Sequence, residues 1–247
     1  MKAHSPPLLL FMLLAGFFAS CSQSTTKEKD ASADPEIVIK YRDDGTRSSA
    51  NQVNELGQVH GTRLTYYRDG KTIKSRLSFR NGLKHGPSVT FYKNGQEFEY
   101  SSYVDGERHG PHRKYYKSGE LLAEYDYENG HALPGLKEYE TDGTLVSGYP
   151  EVGFREIDHL ASRNRIDLEI SCTWKKGKMK FFVLKEENGK TDRTYLITEN
   201  GTATMRFYIQ PGESLSKKVD ILAEIPTDLG NILVLDGSYQ LRATNVQ

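Results

Sequence analysis

Two interleaved series of glycines, running from about Gly57 to Gly148, constrain this chain more than any other feature of its sequence. Tyr66-Tyr67-Arg68-Asp69-Gly70, Phe91-Tyr92-Lys93-Asn94-Gly95 and Tyr115-Tyr116-Lys117-Ser118-Gly119 share one layout: two aromatics, a basic residue, a small polar residue and glycine. Tyr139-Glu140-Thr141-Asp142-Gly143 is a worn fourth copy, and the steps between the four glycines are 25, 24 and 24 residues. A second series, Gly57, Asn81-Gly82, Asp105-Gly106 and Asn129-Gly130, falls between them. Asn-Gly and Asp-Gly close tight hairpins because both central residues of a type I′ turn need positive φ. A turn therefore recurs every 11 to 13 residues, and the repeating unit is one β-hairpin.

Between turns the residues suit strands. Leu64 and Tyr66, then Ile73, Leu77 and Phe79, then Leu121, Ala123, Tyr125 and Tyr127 alternate with polar neighbours, the period of a strand. The second turn of each unit reads as the longer one, since Asn81-Gly82-Leu83-Lys84-His85-Gly86-Pro87 recurs as Asp105-Gly106-Glu107-Arg108-His109-Gly110-Pro111. Pro87 and Pro111 are expected to begin strands, where an amide donor is dispensable. Aligned on the first glycine series, Tyr41, Tyr66, Phe91, Tyr115 and Tyr139 fall in register, with Arg42, Tyr67, Tyr92, Tyr116 and Glu140 beside them. Adjacent strand residues point to opposite faces, so the expectation is an aromatic ladder on each face. Glu36 to Gly61 reads as a decayed first repeat that caps the stack and blunts its edge.

This pattern resembles the MORN repeat, in the bacterial, antitoxin-like variant with Tyr-x-x-Asp/Asn-Gly followed by x-x-x-His-Gly. The resemblance covers residues 36 to 149. It implies a hairpin stack used as a scaffold or binding surface, and it transfers no catalytic residue.

The start of the chain carries Lys2, His4 and an apolar run from Leu8 to Ala19, shorter than the ~20 residues a spanning helix needs. Residues 1 to 20 read as a signal peptide. Phe18-Ala19-Ser20-Cys21 resembles the lipobox of bacterial lipoproteins, although Phe18 stands where that family prefers Leu. The resemblance implies that Cys21 becomes the acylated mature N-terminus, partnered with a lipid bilayer in the bacterial cell envelope, in the outer membrane and with surface exposure left open. Residues 21 to 35 contain no apolar side chain larger than Ala beyond Cys21 and read as a disordered tether. Past Tyr149-Pro150 the glycine period stops. Leu168, Ile170, Cys172 and Trp174 alternate onto one face, and further strands are expected at 152–157, 179–184, 194–198, 202–209, 218–223 and 237–243. About seven short strands in this span argue an immunoglobulin-like β-sandwich over residues 150 to 247, with a loose resemblance to transthyretin-like modules. The fold class expected is therefore all-β: a stacked hairpin repeat sheet followed by a sandwich.

Few residues invite chemistry. His60, His85 and His109 recur once per repeat, but equivalent positions two strands apart are ~9.6 Å distant. One metal needs every nitrogen within about 2.1 Å, so they cannot share an ion. Each is expected to be a turn residue preceding a glycine of special backbone angle. Cys172 reads as a buried, inert thiol. No nucleophile elbow, phosphate-cradling loop or paired-cysteine motif is present, so no enzyme, cofactor or metal is expected. A net charge of zero offers no general case for nucleic acid. That neutrality conceals a gradient. Residues 60 to 95 hold eight basic residues against one acid, whereas residues 96 to 148 hold five against eleven. Arg68, Lys71, Lys74 and Arg76, with the aromatics Tyr67, Tyr92 and Tyr116, are the candidate binding residues. Two functions follow: a non-enzymatic envelope lipoprotein that scaffolds or binds a protein or envelope component, or an antitoxin-like protein that neutralises a toxin by contact.

Overall fold

The computed structural model describes residues 35–174, 178–187 and 189–246, which belong to one compact unit. The expected signal peptide, Cys21 and all but the last residue of the tether lie outside the described residues. The protein is all-β. Its first part consists of β1 (Glu36–Tyr41), β2 (Arg47–Val53), β3 (Val59–Tyr66), β4 (Ile73–Arg80), β5 (Leu83–Phe91), β6 (Glu97–Val104), β7 (Glu107–Tyr115), β8 (Leu121–Glu128), β9 (His131–Ala132) and β10 (Lys137–Glu138). These form one ten-stranded antiparallel sheet in which β1 to β8 follow chain order and β8 also pairs β9 and β10.

The two glycine series make two kinds of turn. At Asn81-Gly82, Asp105-Gly106 and Asn129-Gly130 both residues have positive φ, near 48° and between 80° and 97°, the two-residue type I′ loop. In the other series only the glycine does, as at Gly70 with φ 67° and Gly95 with φ 89°. The Gly70 amide donates to the Tyr67 carbonyl at 3.0 Å, and the Gly95 amide to that of Tyr92 at 3.0 Å. That is a turn followed by a left-handed glycine, held further by side chains: Asp69 Oδ1 accepts from the Lys71 and Thr72 amides at 2.9 and 2.8 Å. The second turn is thus the shorter one, contrary to the expectation from sequence. Leu83 to Pro87 belongs to β5, and Pro87 lies inside the strand beside a register shift opposite Ser78, where Gly86 has φ 88°. An irregularity there removes the need for the missing amide.

Register places Ser49, Thr65, Ser75, Thr90, Glu99, Lys114, Ala123 and Glu138 opposite one another across the sheet. The row two residues along holds Asn51, Arg63, Leu77, Ser88, Ser101, His112 and Tyr125, hence on the same face. Ser49, Asn51, Ser75, Ser88, Ser101, His112, Tyr125 and Glu138 are all buried, so this is the inner face. The opposite face carries Leu64, Arg76, Val89, Tyr100, Arg113 and Glu124 in register.

The remaining elements are β11 (Val152–His159), a one-turn helix α1 (Leu160–Arg163), β12 (Arg165–Cys172), β13 (Lys180–Glu187), β14 (Lys190–Leu196), β15 (Thr198–Glu199), β16 (Thr202–Tyr208), β17 (Ser214–Pro226) and β18 (Ile232–Thr244). They build two four-stranded sheets, ordered β11-β12-β16-β15 and β14-β13-β17-β18. Leu168, Ile170, Ala203 and Phe207 of the first sheet share one buried cluster with Phe181, Ile221, Ala223 and Leu241 of the second. Every expected strand is present. β17 and β18 each run to 13 residues, longer than alternation suggested, because they form one hairpin closed by Gly230 with φ 76°.

The hairpin sheet gives way to the other two sheets near Tyr149-Pro150, and the joint between them is buried. Ala123, Tyr125, Ala132 and Leu136 belong to the same apolar cluster as the paired sheets. Glu138, only 2% exposed, accepts from Thr227 Oγ1 at 2.5 Å, Asn231 Nδ2 at 2.6 Å and the Tyr149 hydroxyl at 2.8 Å. Lys114 Nζ donates to the Gly230 carbonyl at 3.0 Å.

Candidate binding face

The second aromatic of each repeat was expected to form a ladder on one face. Instead Tyr67, Tyr92 and Tyr116 stand one residue beyond their strands, at the first position of the turn. Their hydroxyls donate to the carbonyls of Phe91 at 2.6 Å, Tyr115 at 2.9 Å and Tyr139 at 2.8 Å, each in the next repeat. Arg42 plays the same part in the first repeat, reaching the Tyr66 carbonyl at 2.6 Å. These side chains fasten one hairpin to the next. Half-buried and with their hydroxyls engaged, Tyr67, Tyr92 and Tyr116 are fixed parts of the scaffold.

The opposite turns are fastened as well. His60 Nδ1 lies 3.0 Å from Asn81 Oδ1, and His85 Nδ1 lies 3.3 Å from Asp105 Oδ1. His60, His85 and His109 are strand residues, each followed by a glycine of positive φ as anticipated, but the first two reach across to the next turn. The Gly82 amide donates to the Val59 carbonyl and the Gly106 amide to that of Lys84, both at 2.8 Å. No group of three potential ligands converges on a metal among the described residues.

The basic candidates are differently placed. Arg68 and Lys71 lie in the β3–β4 turn, and Lys74 and Arg76 alternate along β4 onto the outer face. All four are exposed, and none forms an ion pair with a described residue. Acids at the other end are partly neutralised: Glu124 lies 3.4 Å from Lys137 and 3.8 Å from Arg113. The sequence count overstated the acidic surface, because Glu138 is buried in the joint and Glu99 sits on the inner face.

That inner face holds two strongly perturbed groups, His112 and Tyr125, the latter pushed well up by burial. His112, 1% exposed, has its ring edge-on to Tyr125 and Tyr127, with centroids at 4.7 and 5.5 Å. Burial, reinforced by the charges of Arg108 and Lys114, pushes its pKa from the usual 6.5 down to about 3. Ser101 Oγ is 2.8 Å from His112 Nδ1, and the same hydroxyl lies 3.3 Å from Glu99 Oε1. The grouping is unlike a nucleophilic triad, in which the carboxylate orients the histidine rather than the serine. All three groups face inward, and Glu99 is paired with Arg108 at 3.1 Å. His109 belongs to the recurring His-Gly pair and His112 does not, but nothing in the sequence marked His112 as the enclosed one.

Cys172 is buried as expected; its thiol donates to the Glu151 carbonyl at 3.2 Å, and burial pushes its pKa up. Trp174 packs against Tyr149, with ring centroids 6.0 Å apart. Among the described residues no helix is long and apolar enough to cross a membrane. Comparison with protein-family profiles, with curated proteins and with solved structures returned no match.

Proposed function

We propose that this protein is a non-enzymatic, lipid-anchored protein of the bacterial envelope, whose MORN-type hairpin sheet serves as a binding scaffold held on an immunoglobulin-like sandwich. The glycine period supports the first assignment. The order β11-β12-β16-β15 over β14-β13-β17-β18 supports the second, since it follows the A-B-E-D and C′-C-F-G orders of that fold. One observation carries the functional reading: four cations, Arg68, Lys71, Lys74 and Arg76, stand exposed and unpaired within nine residues of a sheet whose neighbouring hairpins are fastened to each other. Elsewhere on the sheet Arg80, Arg108, Arg113 and Lys137 each lie within 3.8 Å of a carboxylate, that of Asp105, Glu99 or Glu124. A cluster of exposed cations without a direct ion pair, on a rigid support, favours an anionic surface or partner.

The test is co-sedimentation with vesicles containing anionic lipid. Charge reversal of Arg68, Lys71, Lys74 and Arg76 is expected to abolish binding that in the wild type falls steeply with salt, because exposed charges are screened over ~8 Å at physiological ionic strength. Equal binding by the variant at low and high salt would sink the basic-face reading. The anchor is tested separately: Cys21→Ser is expected to leave the membrane fraction, since stable attachment takes more than one acyl chain.

A further inference from the structure

The two ends of the hairpin sheet differ in character. At one, β8 is followed by the short β9 and β10 and joined to the sandwich through buried Glu138. At the other, β1 pairs only β2, and no described strand lies along its outer edge. All six residues of β1 are exposed. Ile37 is 59%, Val38 37%, Ile39 40% and Tyr41 62% exposed. The edge-blunting expected of a decayed repeat is confined to the two ends of the strand, where Glu36 and Lys40 are charged and the register shifts beside Tyr41. Natural sheets guard an open edge with proline, inward-pointing charge, a very short strand or a covering segment. β1 has no proline, and between its two charged residues it presents three consecutive β-branched aliphatic residues along an edge that no described strand pairs.

We propose that β1 is an edge-pairing site for a second copy of this chain, joining two hairpin sheets into one about a two-fold axis at Val38. The strand is complementary to itself in one register. Antiparallel pairing centred on Val38 sets Glu36 against Lys40 of the second copy, and Lys40 against its Glu36. Ile37 then meets Ile39, and Val38 meets Val38. Both charge pairs lie on the inner face with Val38, because Val38 is opposite Asn51. The isoleucines lie on the outer face, where Ile39 is opposite Ala50 and Ala50 opposite Leu64, so four isoleucines close over the seam as a continuation of that apolar row. A slip of one residue would set Glu36 against Ile39 or Tyr41 and join the inner face of one sheet to the outer face of the other. Main-chain hydrogen bonds supply the attraction, and the alternating side chains supply the register. Such an interface is isologous and closes at two copies, which consumes both open edges.

Disulfide trapping in the full chain carrying Cys21→Ser tests this, the remaining Cys172 being buried. Val38→Cys is expected to form a disulfide-linked species of twice the chain mass at least tenfold faster than Leu56→Cys, a position in the β2–β3 turn that is more exposed, at 81% against 37%. Ile37→Cys and Ile39→Cys should crosslink when mixed and neither alone, because a cysteine facing its own copy two positions off register is beyond the ~7 Å that a disulfide spans. Adding Lys40→Glu to Val38→Cys should weaken trapping about tenfold, since two like-charge pairs replace two opposite ones, and adding Glu36→Lys as well should restore it. Four outcomes overturn the proposal: equal trapping at Leu56→Cys, self-crosslinking of Ile37→Cys as fast as the mixture, failure of the double exchange to restore, or capture of a different protein by Val38→Cys.

Discussion

The hairpin sheet and the sandwich are both antiparallel β-structure, yet they bury opposite kinds of residue. In the sandwich, Leu168, Ile170, Phe181, Ile221, Ile225 and Leu241 are wholly enclosed between two sheets. In the hairpin sheet the buried positions from β2 to β6 are chiefly Ser49, Asn51, Ser75, Ser88 and Ser101. A single sheet lacks an opposing layer over most of its length, so large aliphatic side chains on its inner face would gain little from burial. Its order comes from hydrogen bonds repeated along both rims: Tyr67, Tyr92 and Tyr116 on one, His60 and His85 on the other. Each such bond contributes about 1 kcal/mol, so the sheet is held by many small, local terms. The sandwich is held by a few large, shared ones.

That contrast predicts a graded series of effects on stability. Phe181→Ala should be the most damaging, with about 3–5 kcal/mol lost, because it opens a cavity at the centre of the shared cluster. A shift in the urea midpoint no larger than that of a surface variant would mean that the sandwich is not the dominant core. Glu138→Ala comes next, at about 3 kcal/mol, since it leaves Thr227, Asn231 and Tyr149 without the carboxylate that joins the two regions. Its further signature is a split transition, with Trp174 fluorescence and far-UV dichroism no longer coincident. Coincident transitions in the variant would show that the apolar contacts of the joint suffice.

His112 sets the acid response of the hairpin sheet. Its folded pKa, near 3, lies below the unfolded value near 6.5, so in the interval between them the unfolded chain binds the additional proton. Stability is therefore full above pH 6.5 and declines as pH falls toward 3, by about 2–3 kcal/mol between pH 7 and pH 4. Asp44, Asp69, Asp105 and Asp142 in the turns also have lowered values, chiefly through side-chain or backbone hydrogen bonds, but from a reference of 3.8, so their contributions are lost at lower pH. His112→Gln should flatten the urea-midpoint profile from pH 6.5 to pH 4.5; an unchanged slope would assign that response to another group. The smallest effect belongs to Tyr92→Phe. Removing the hydroxyl that reaches Tyr115 should cost about 1 kcal/mol while the edge-on contact with Phe98, at 5.1 Å, is kept. A loss as large as that of Phe181→Ala would show the rims to be cooperative, not local.

What the sequence determined by itself is what depends on near neighbours along the chain. Asn-Gly at a fixed interval requires positive φ at both residues, and alternation over Leu168, Ile170 and Cys172 specifies a half-buried strand, so hairpins and sandwich strands were legible at nearly the right residues. The turns of the Gly70 series were misjudged because their form depends on which residue before the glycine carries the turn, and that moved Tyr67 and its equivalents off the strand. Only the tertiary structure decided the rest. The carbonyl that receives the Tyr67 hydroxyl is 24 residues away, and Thr227 reaches Glu138 across 89. Glu138 and Glu124 both precede or sit among aromatics in strands, yet one is enclosed and the other is solvated. Burial is set by which surface arrives to cover a residue, a property of the assembled sheets that no local pattern of polar and apolar residues encodes.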